Sequence, residues 1–165
     1  MNSALERIRK SKSQNGFTII ELLIVIVVVV ILSVLIFTTY GGIQEKNRNL
    51  TRNTNLELIH EALEKYYNNP SIAHYPSRAD MNNPKWLAKN LPNLSPSLLI
   101  DPSNSTKSET LAATPTAKYY AYDPTQIDGV SSCETNDNTC SKYTLTATYE
   151  GTVNGSTKLV IQSTN

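Results

Sequence analysis

The chain has 165 residues, a formal net charge of +1, 39% hydrophobic and 18% charged side chains. That length suits one domain plus an appended element, and so small a net charge leaves no electrostatic footprint for a nucleic-acid partner. Its two cysteines, Cys133 and Cys140, are too few for a zinc site and fit one disulfide in an exported domain.

The apolar residues are unevenly spread. Residues 1–16 are polar and basic: Arg7, Arg9, Lys10 and Lys12, less Glu6, give the segment +3. The run GFTIIELLIVIVVVVILSVLIF follows, Gly16 to Phe37. From Phe17 onward it is long enough to span a bilayer core, which takes about 20 helical residues. Positive charge before an apolar helix keeps that end in the cytoplasm, so everything after Phe37 is expected outside. A secretory signal would have a shorter apolar stretch and a small-residue cleavage site beyond it. Here Thr38, Thr39 and Tyr40 come next, then Gly41 and Gly42. A plain anchor explains the flank and the length but not Glu21, since an acid deep in a membrane helix costs roughly 2.5–3.5 kcal/mol.

Gly16-Phe17-Thr18-Ile19-Ile20-Glu21-Leu22-Leu23 closely resembles the class III signal of type IV pilins and type II secretion pseudopilins. The resemblance implies cleavage between Gly16 and Phe17 by a prepilin peptidase on the cytoplasmic side, N-methylation of Phe17, and Glu21 as the acid of the mature N-terminus. It supplies a reason for that acid. Cleavage creates an ammonium on Phe17, and a buried carboxylate is tolerable beside an opposite charge. Glu21 is expected to pair with the Phe17 ammonium of a neighbouring subunit and so set the register of assembly; the alternative is an intrachain contact one helical turn away.

Beyond Tyr40 the chain turns polar but stays helical. Leu56, Ile59, Leu63 and Tyr66 with Tyr67 recur at steps of three and four and predict an amphipathic helix, stopped by Asn68-Asn69-Pro70. Gly41-Gly42 is a weak point, because glycine costs up to about 1 kcal/mol relative to alanine in a helix. It reads either as a bend, replacing the proline that many type IV pilins carry near the position of Thr38 and that this chain lacks, or as a tolerated pair at the membrane exit. His60 and His74 have no metal or nucleophile partner in sequence.

In the remainder, Pro84 to Asn90 predicts a short helix with Asn83 as N-cap. Residues 93–115 read as loop, interrupted by Leu98 to Pro102, which is expected to dock on the core. Strands are predicted at Lys118 to Asp123, Tyr143 to Glu150 and Lys158 to Gln162, with Asn154-Gly155 as a hairpin turn. Tyr143, Leu145, Ala147 and Tyr149 share one strand face. Three strands need a cover, and the helix stripe supplies it. The fold class is therefore α+β and pilin-like, a long N-terminal helix packed on a three-stranded antiparallel sheet. Its parts are a leader (1–16), a membrane and polymerisation helix (17–39), an amphipathic continuation (40–69) and an extracytoplasmic head (70–165).

Asp123, Asp128, Glu134 and Asp137 lie near the cysteine loop. Major pseudopilins bind calcium in C-terminal loops, and hard oxygen ligands suit that ion, so the resemblance makes these acids candidate ligands; a solvated polar loop is the alternative, and no other cofactor is expected. Asn-x-Ser/Thr triplets at Asn49, Asn93, Asn104 and Asn154 establish exposure at most.

No Ser/His/Asp array, phosphate loop or metal cluster is visible, and a non-enzymatic structural subunit is expected. The implied partners are the membrane, copies of itself and other pilins in a helical fibre, the prepilin peptidase and methylase, and a platform protein with its assembly ATPase. The implied location is a single-pass cytoplasmic membrane protein with its N-terminus inside, passing into a surface fibre or a periplasmic pseudopilus. A type IV pilus for adhesion, motility or DNA uptake is the first reading. A secretion pseudopilin is the second, and a membrane-anchored binding protein that never polymerises is the third.

Overall fold

A computed structural model describes residues 16–108, 110–134 and 139–165, with the backbone alone at 35–40. The leader up to residue 15 and the calcium candidate Asp137 lie outside the described residues. The chain divides into two compact units, Met1–Gly41 and Gly42–Asn165. In chain order the elements are α1 (Ile19–Tyr67), α2 (Arg78–Met81), α3 (Pro84–Asn90), a 3-10 turn (Pro96–Leu99), β1 (Ala121–Thr125), β2 (Lys142–Val153) and β3 (Ser156–Gln162).

In the first unit, α1 is apolar all round. Its large apolar side chains from Ile19 to Val34 are between 48% and 87% exposed. A helix without a polar face needs an apolar medium or partner on every side. Among the described residues no helix is long and apolar enough to cross a membrane; the expected membrane helix, residues 17–39, includes residues 35–39, whose side chains lie outside the description. Gly41 and Gly42 are both helical.

The second unit holds the core. The predicted stripe is its floor: Leu56, Ile59 and Leu63 are fully buried and Tyr66 nearly so. The sheet runs in the order β1-β2-β3, antiparallel throughout. Tyr143, Leu145 and Ala147 of β2 are buried, as alternation predicts. The β2–β3 turn is Asn154-Gly155, with Val153 opposite Ser156 and positive φ at both turn residues (51° and 80°), the geometry that favours this dipeptide. A register shift between Thr148 and Val153 accompanies Gly151 at φ 69°, as in a bulge.

Three details differ from the sequence reading. The first strand lies at Ala121–Thr125 and includes Pro124. A proline is admissible because β1 is an edge strand, and the Pro124 carbonyl still accepts from the Cys133 amide at 2.8 Å. Helix α2 was not expected; it is fixed by a capping box in which Asp80 N–H donates to Ser77 Oγ and Ser77 N–H to Asp80 Oδ2. The loop of residues 93–115 contains the 3-10 turn, which buries Leu99. Helix α3 matches its prediction, with Asn83 Oδ1 accepting from Lys85 and Trp86.

Candidate functional site

The processing motif opens the described chain. Gly16 is exposed with open space where a Cβ would stand, and Phe17 is 84% exposed. The peptide bond between them is thus accessible. In the uncleaved chain Phe17 is amide-linked and carries no charge. The Glu21 carboxylate instead receives the Thr18 N–H and hydroxyl, both at 3.4 Å, while the Glu21 N–H donates to Thr18 Oγ1 at 3.3 Å. Thr18-x-x-Glu21 is a capping box at the start of α1. Sequence reasoning missed it, although the spacing was legible. Glu21 therefore has a local role, satisfying a helix-terminal donor, besides any role between subunits. The bonds are long, so that role is weak.

Within the second unit, the helical residues 42–67 are tied to the rest by two polar clusters. In the first, the helix stripe continues backward through Asn55, Arg52 and Asn49, all buried. Arg52 is bidentate to Asp101, at 2.8 and 2.9 Å, with both side chains fully buried. It also donates to Asn49 Oδ1 at 2.8 Å and Ser103 Oγ at 2.7 Å, and lies 2.9 Å from Glu150 Oε1. Arg48 caps the other side of Glu150. The Asn49 amide pairs with the Glu150 backbone in both directions, at 2.9 and 3.0 Å. Burial works against the charge of Arg52, but bonds from Asp101 and Glu150 outweigh it and raise its pKa. The Arg48 hydrogen bond, opposed by burial and helped by Ser103 and Arg52, draws Glu150 down to about 2. No buried side-chain polar atom among the described residues lacks a partner. The signal that could have revealed this cluster was a lone arginine in register with an apolar stripe, which requires a buried acid.

In the second cluster Glu64 accepts from Tyr143 at 2.8 Å, from Tyr75 at 3.0 Å, and from the Thr164 hydroxyl. Tyr143 spends its only proton on Glu64, so His60 Nδ1, 2.6 Å from the same hydroxyl, is the donor there. Burial would raise the Glu64 pKa, but the bonds from Thr164, Tyr143 and Tyr75 lower it. Burial, then Glu64 itself, pushes Tyr143 well up. His74 accordingly has an ordinary place too, its Nδ1 2.7 Å from the Ile72 carbonyl.

The remaining predicted residues are not gathered into one site. Cys133 and Cys140 are both fully buried. Asp123 lies half-buried in β1. Asp128 folds onto its own turn through Val130, Ser131 and the Ser131 hydroxyl. Glu134 is paired with Arg78. Among the described residues no group of three or more His, Cys, Asp or Glu side chains is placed to hold a metal ion. Of the four triplets, Asn49 and Asn104 are buried, so the inference of exposure fails for both; Asn93 and Asn154 are exposed.

An exposed glycine, an exposed phenylalanine and a lone acid heading an all-round apolar helix are the elements of one recognised signal. The chain carries a prokaryotic N-terminal methylation motif. The family model matches residues 11–37, and the motif is the class III signal of type IV pilins and pseudopilins. Comparison with curated proteins and with solved structures gave no match. The motif supports a type IV pilin-like or pseudopilin precursor and indicates a structural subunit. It implies membrane anchoring, processing by the prepilin peptidase, and assembly into pilus-like fibres.

Proposed function

We propose that the chain is a type IV pilus subunit. It is inserted with its basic leader inside the cell, cut after Gly16, methylated on Phe17, and polymerised through the helix of residues 17–37. The observation that carries this reading is the helix from Ile19 to Val34, apolar on every side with its large apolar side chains 48% exposed or more, and with a single acid, Glu21, in its first turn. Such a surface is served equally by lipid and by other copies of the same helix, so moving from one to the other loses little apolar burial. The new ammonium of Phe17 gives Glu21 of a neighbour a partner of opposite charge in that medium. The head, built on the second half of α1, forms the fibre surface. Export exposes Cys133 and Cys140 to an oxidising compartment. The two close a disulfide there, worth roughly 2–3 kcal/mol for so short a loop.

The test is the intact mass of protein sheared from native cells. A chain beginning at Phe17, one methyl group heavier and two hydrogens lighter than its sequence, is expected. A processed chain confined to the membrane fraction would favour a secretion pseudopilin, and an unprocessed chain a plain anchor.

A further inference from the structure

Residues 75–79 follow α1 and enter α2, and their backbone is held from far along the chain. The Tyr75 N–H donates to the Cys140 carbonyl at 2.8 Å, the Arg78 N–H to the Cys133 carbonyl at 3.2 Å and the Ala79 N–H to the Glu134 carbonyl at 3.1 Å. The Tyr122 hydroxyl donates to the Pro76 carbonyl at 2.7 Å, and Arg78 pairs with Glu134. Tyr75, Pro76 and Ser77 are buried.

These acceptors form a pattern. Two of them are the cysteines, and Glu134 adjoins Cys133. Both cysteine segments are tied in turn to the end of β1, Cys133 N–H to the Pro124 carbonyl at 2.8 Å and Ser141 N–H to the Thr125 carbonyl at 2.9 Å. Residues 75–79 thus reach from one cysteine to the other. They span the gap that a bond between the two buried side chains would close. When one link closes a gap, the second forms within the molecule at a high effective concentration. Each then strengthens the other by the same factor.

We propose that residues 75–79 and a Cys133–Cys140 disulfide form a redox clamp, in which oxidation locks the segment and the seated segment protects the disulfide. The inference rests on the disulfide of the fibre reading and names the part of the head that it governs. Two thiols of the chain lose two protons and two electrons to a disulfide oxidant of the external compartment. One S–S bond forms in the chain as one breaks in the oxidant, which leaves as two thiols. With the bond reduced, the segment opens without the sheet, as a local unit of low stability. Tyr75, whose hydroxyl donates to Glu64, carries the clamp to α1.

The experiment is hydrogen exchange, read by mass spectrometry, on the full-length chain in detergent, first oxidised in a glutathione buffer and then reduced. The amides of Tyr75, Arg78 and Ala79 are expected to exchange at least tenfold faster after reduction, with those of residues 144–148 in β2 unchanged within twofold. The reciprocal effect is read from the disulfide. Tyr122→Phe removes one bond to the segment and should lower the equilibrium constant for disulfide formation against glutathione at least threefold. Tyr149→Phe, which removes a bond to Asn53 instead, should leave it unchanged. Equal exchange of residues 75–79 in both states overturns the clamp, as does equal loss of protection across the sheet, which would mark a global staple. An unchanged constant in Tyr122→Phe overturns the coupling. These readouts need no fibres, so their failure leaves polymerisation standing. A chain that forms no internal disulfide in the buffer overturns the clamp and the disulfide together.

Discussion

The two stretches of α1 solve opposite problems. From Ile19 to Val34 the helix offers apolar side chains in every direction and one carboxylate, satisfied only by two long contacts from Thr18. From Asn49 to Tyr66 it buries one stripe and leaves the other face wet, and the stripe contains an arginine and two asparagines, each with partners. The lesson is that polar groups in apolar surroundings are handled in two ways. In the second stretch every buried polar side chain finds its partner within the chain. In the first, the chain gives Glu21 only two contacts of 3.4 Å, and on the proposed fibre reading another copy supplies the rest.

The largest expected effect comes from removing the charge of Glu21. Glu21→Ala should leave membrane insertion intact and abolish fibres in a shear assay. Glu21→Gln divides the two roles of this residue. Glutamine still serves a capping box but cannot pair with an ammonium ion. If pairing between subunits is what matters, the Gln variant fails as completely as Ala. Wild-type fibre yield from Glu21→Gln would show that capping suffices and would erase the contrast between the two stretches.

The second stretch is broken most severely at Arg52. Arg52→Met leaves Asp101 buried without its cation, a change that costs about 3–5 kcal/mol in comparable sites. Thermal unfolding of the full-length protein in detergent, read from the fluorescence of its single tryptophan, Trp86, should show a clear fall in midpoint. Combining Arg52→Met with Asp101→Leu should recover part of it, because the stranded charge is gone. Equal midpoints for wild type and Arg52→Met would show that the cluster contributes nothing to stability.

These residues also mark how far the fold could be read from the chain. Leu56, Ile59 and Leu63 were legible because apolar side chains at helical spacing have one explanation. Arg52 and Asn49 continue the same spacing, but their polarity hides them, and their partners Asp101 and Glu150 lie 49 and 101 residues away in the hydrogen bonds they make. The β2–β3 hairpin was legible through Asn154-Gly155. The first strand was misplaced because Pro124 is a poor strand residue everywhere except at an edge, and edge status depends on the sheet order. Helix α2 was missed although Ser77 and Asp80 carry its cap, because four residues offer no period to read. At the N-terminal site, Gly16, Phe17 and Glu21 were legible as a motif, whereas the contact of Glu21 with Thr18 needed coordinates.

Acid should separate the two clusters of the second unit from the rest of the molecule. Glu150 is held at about 2 against an ordinary 4.5, and Glu64 is lowered in the same direction. A depressed pKa in the folded state means that the contribution is fully present above the unfolded value and is lost as pH falls through the folded one. The unfolding midpoint should be flat from pH 7 to about 5 and then fall progressively toward pH 2. Glu150→Gln should flatten part of that fall while lowering the midpoint at neutral pH. A midpoint indifferent to acid would mean that neither carboxylate is held as the geometry indicates.

The smallest effect is expected at Thr18, and it sharpens the contrast most finely. Thr18→Ala deletes the side-chain half of the capping box, whose bonds are 3.3 and 3.4 Å. Losing an N-cap typically costs about 1 kcal/mol, and bonds this long should cost less. The helix start should fray by one turn in free subunits, yet Glu21 keeps its charge for a neighbour's ammonium. Fibre yield should therefore stay within about twofold of wild type, since the pairing energy at stake exceeds that of a weak cap. Loss of fibres from Thr18→Ala, with Glu21 intact, would mean that the start of α1 must be locked before subunits can dock. Glu21 would then act first on its own helix and only second on the next subunit.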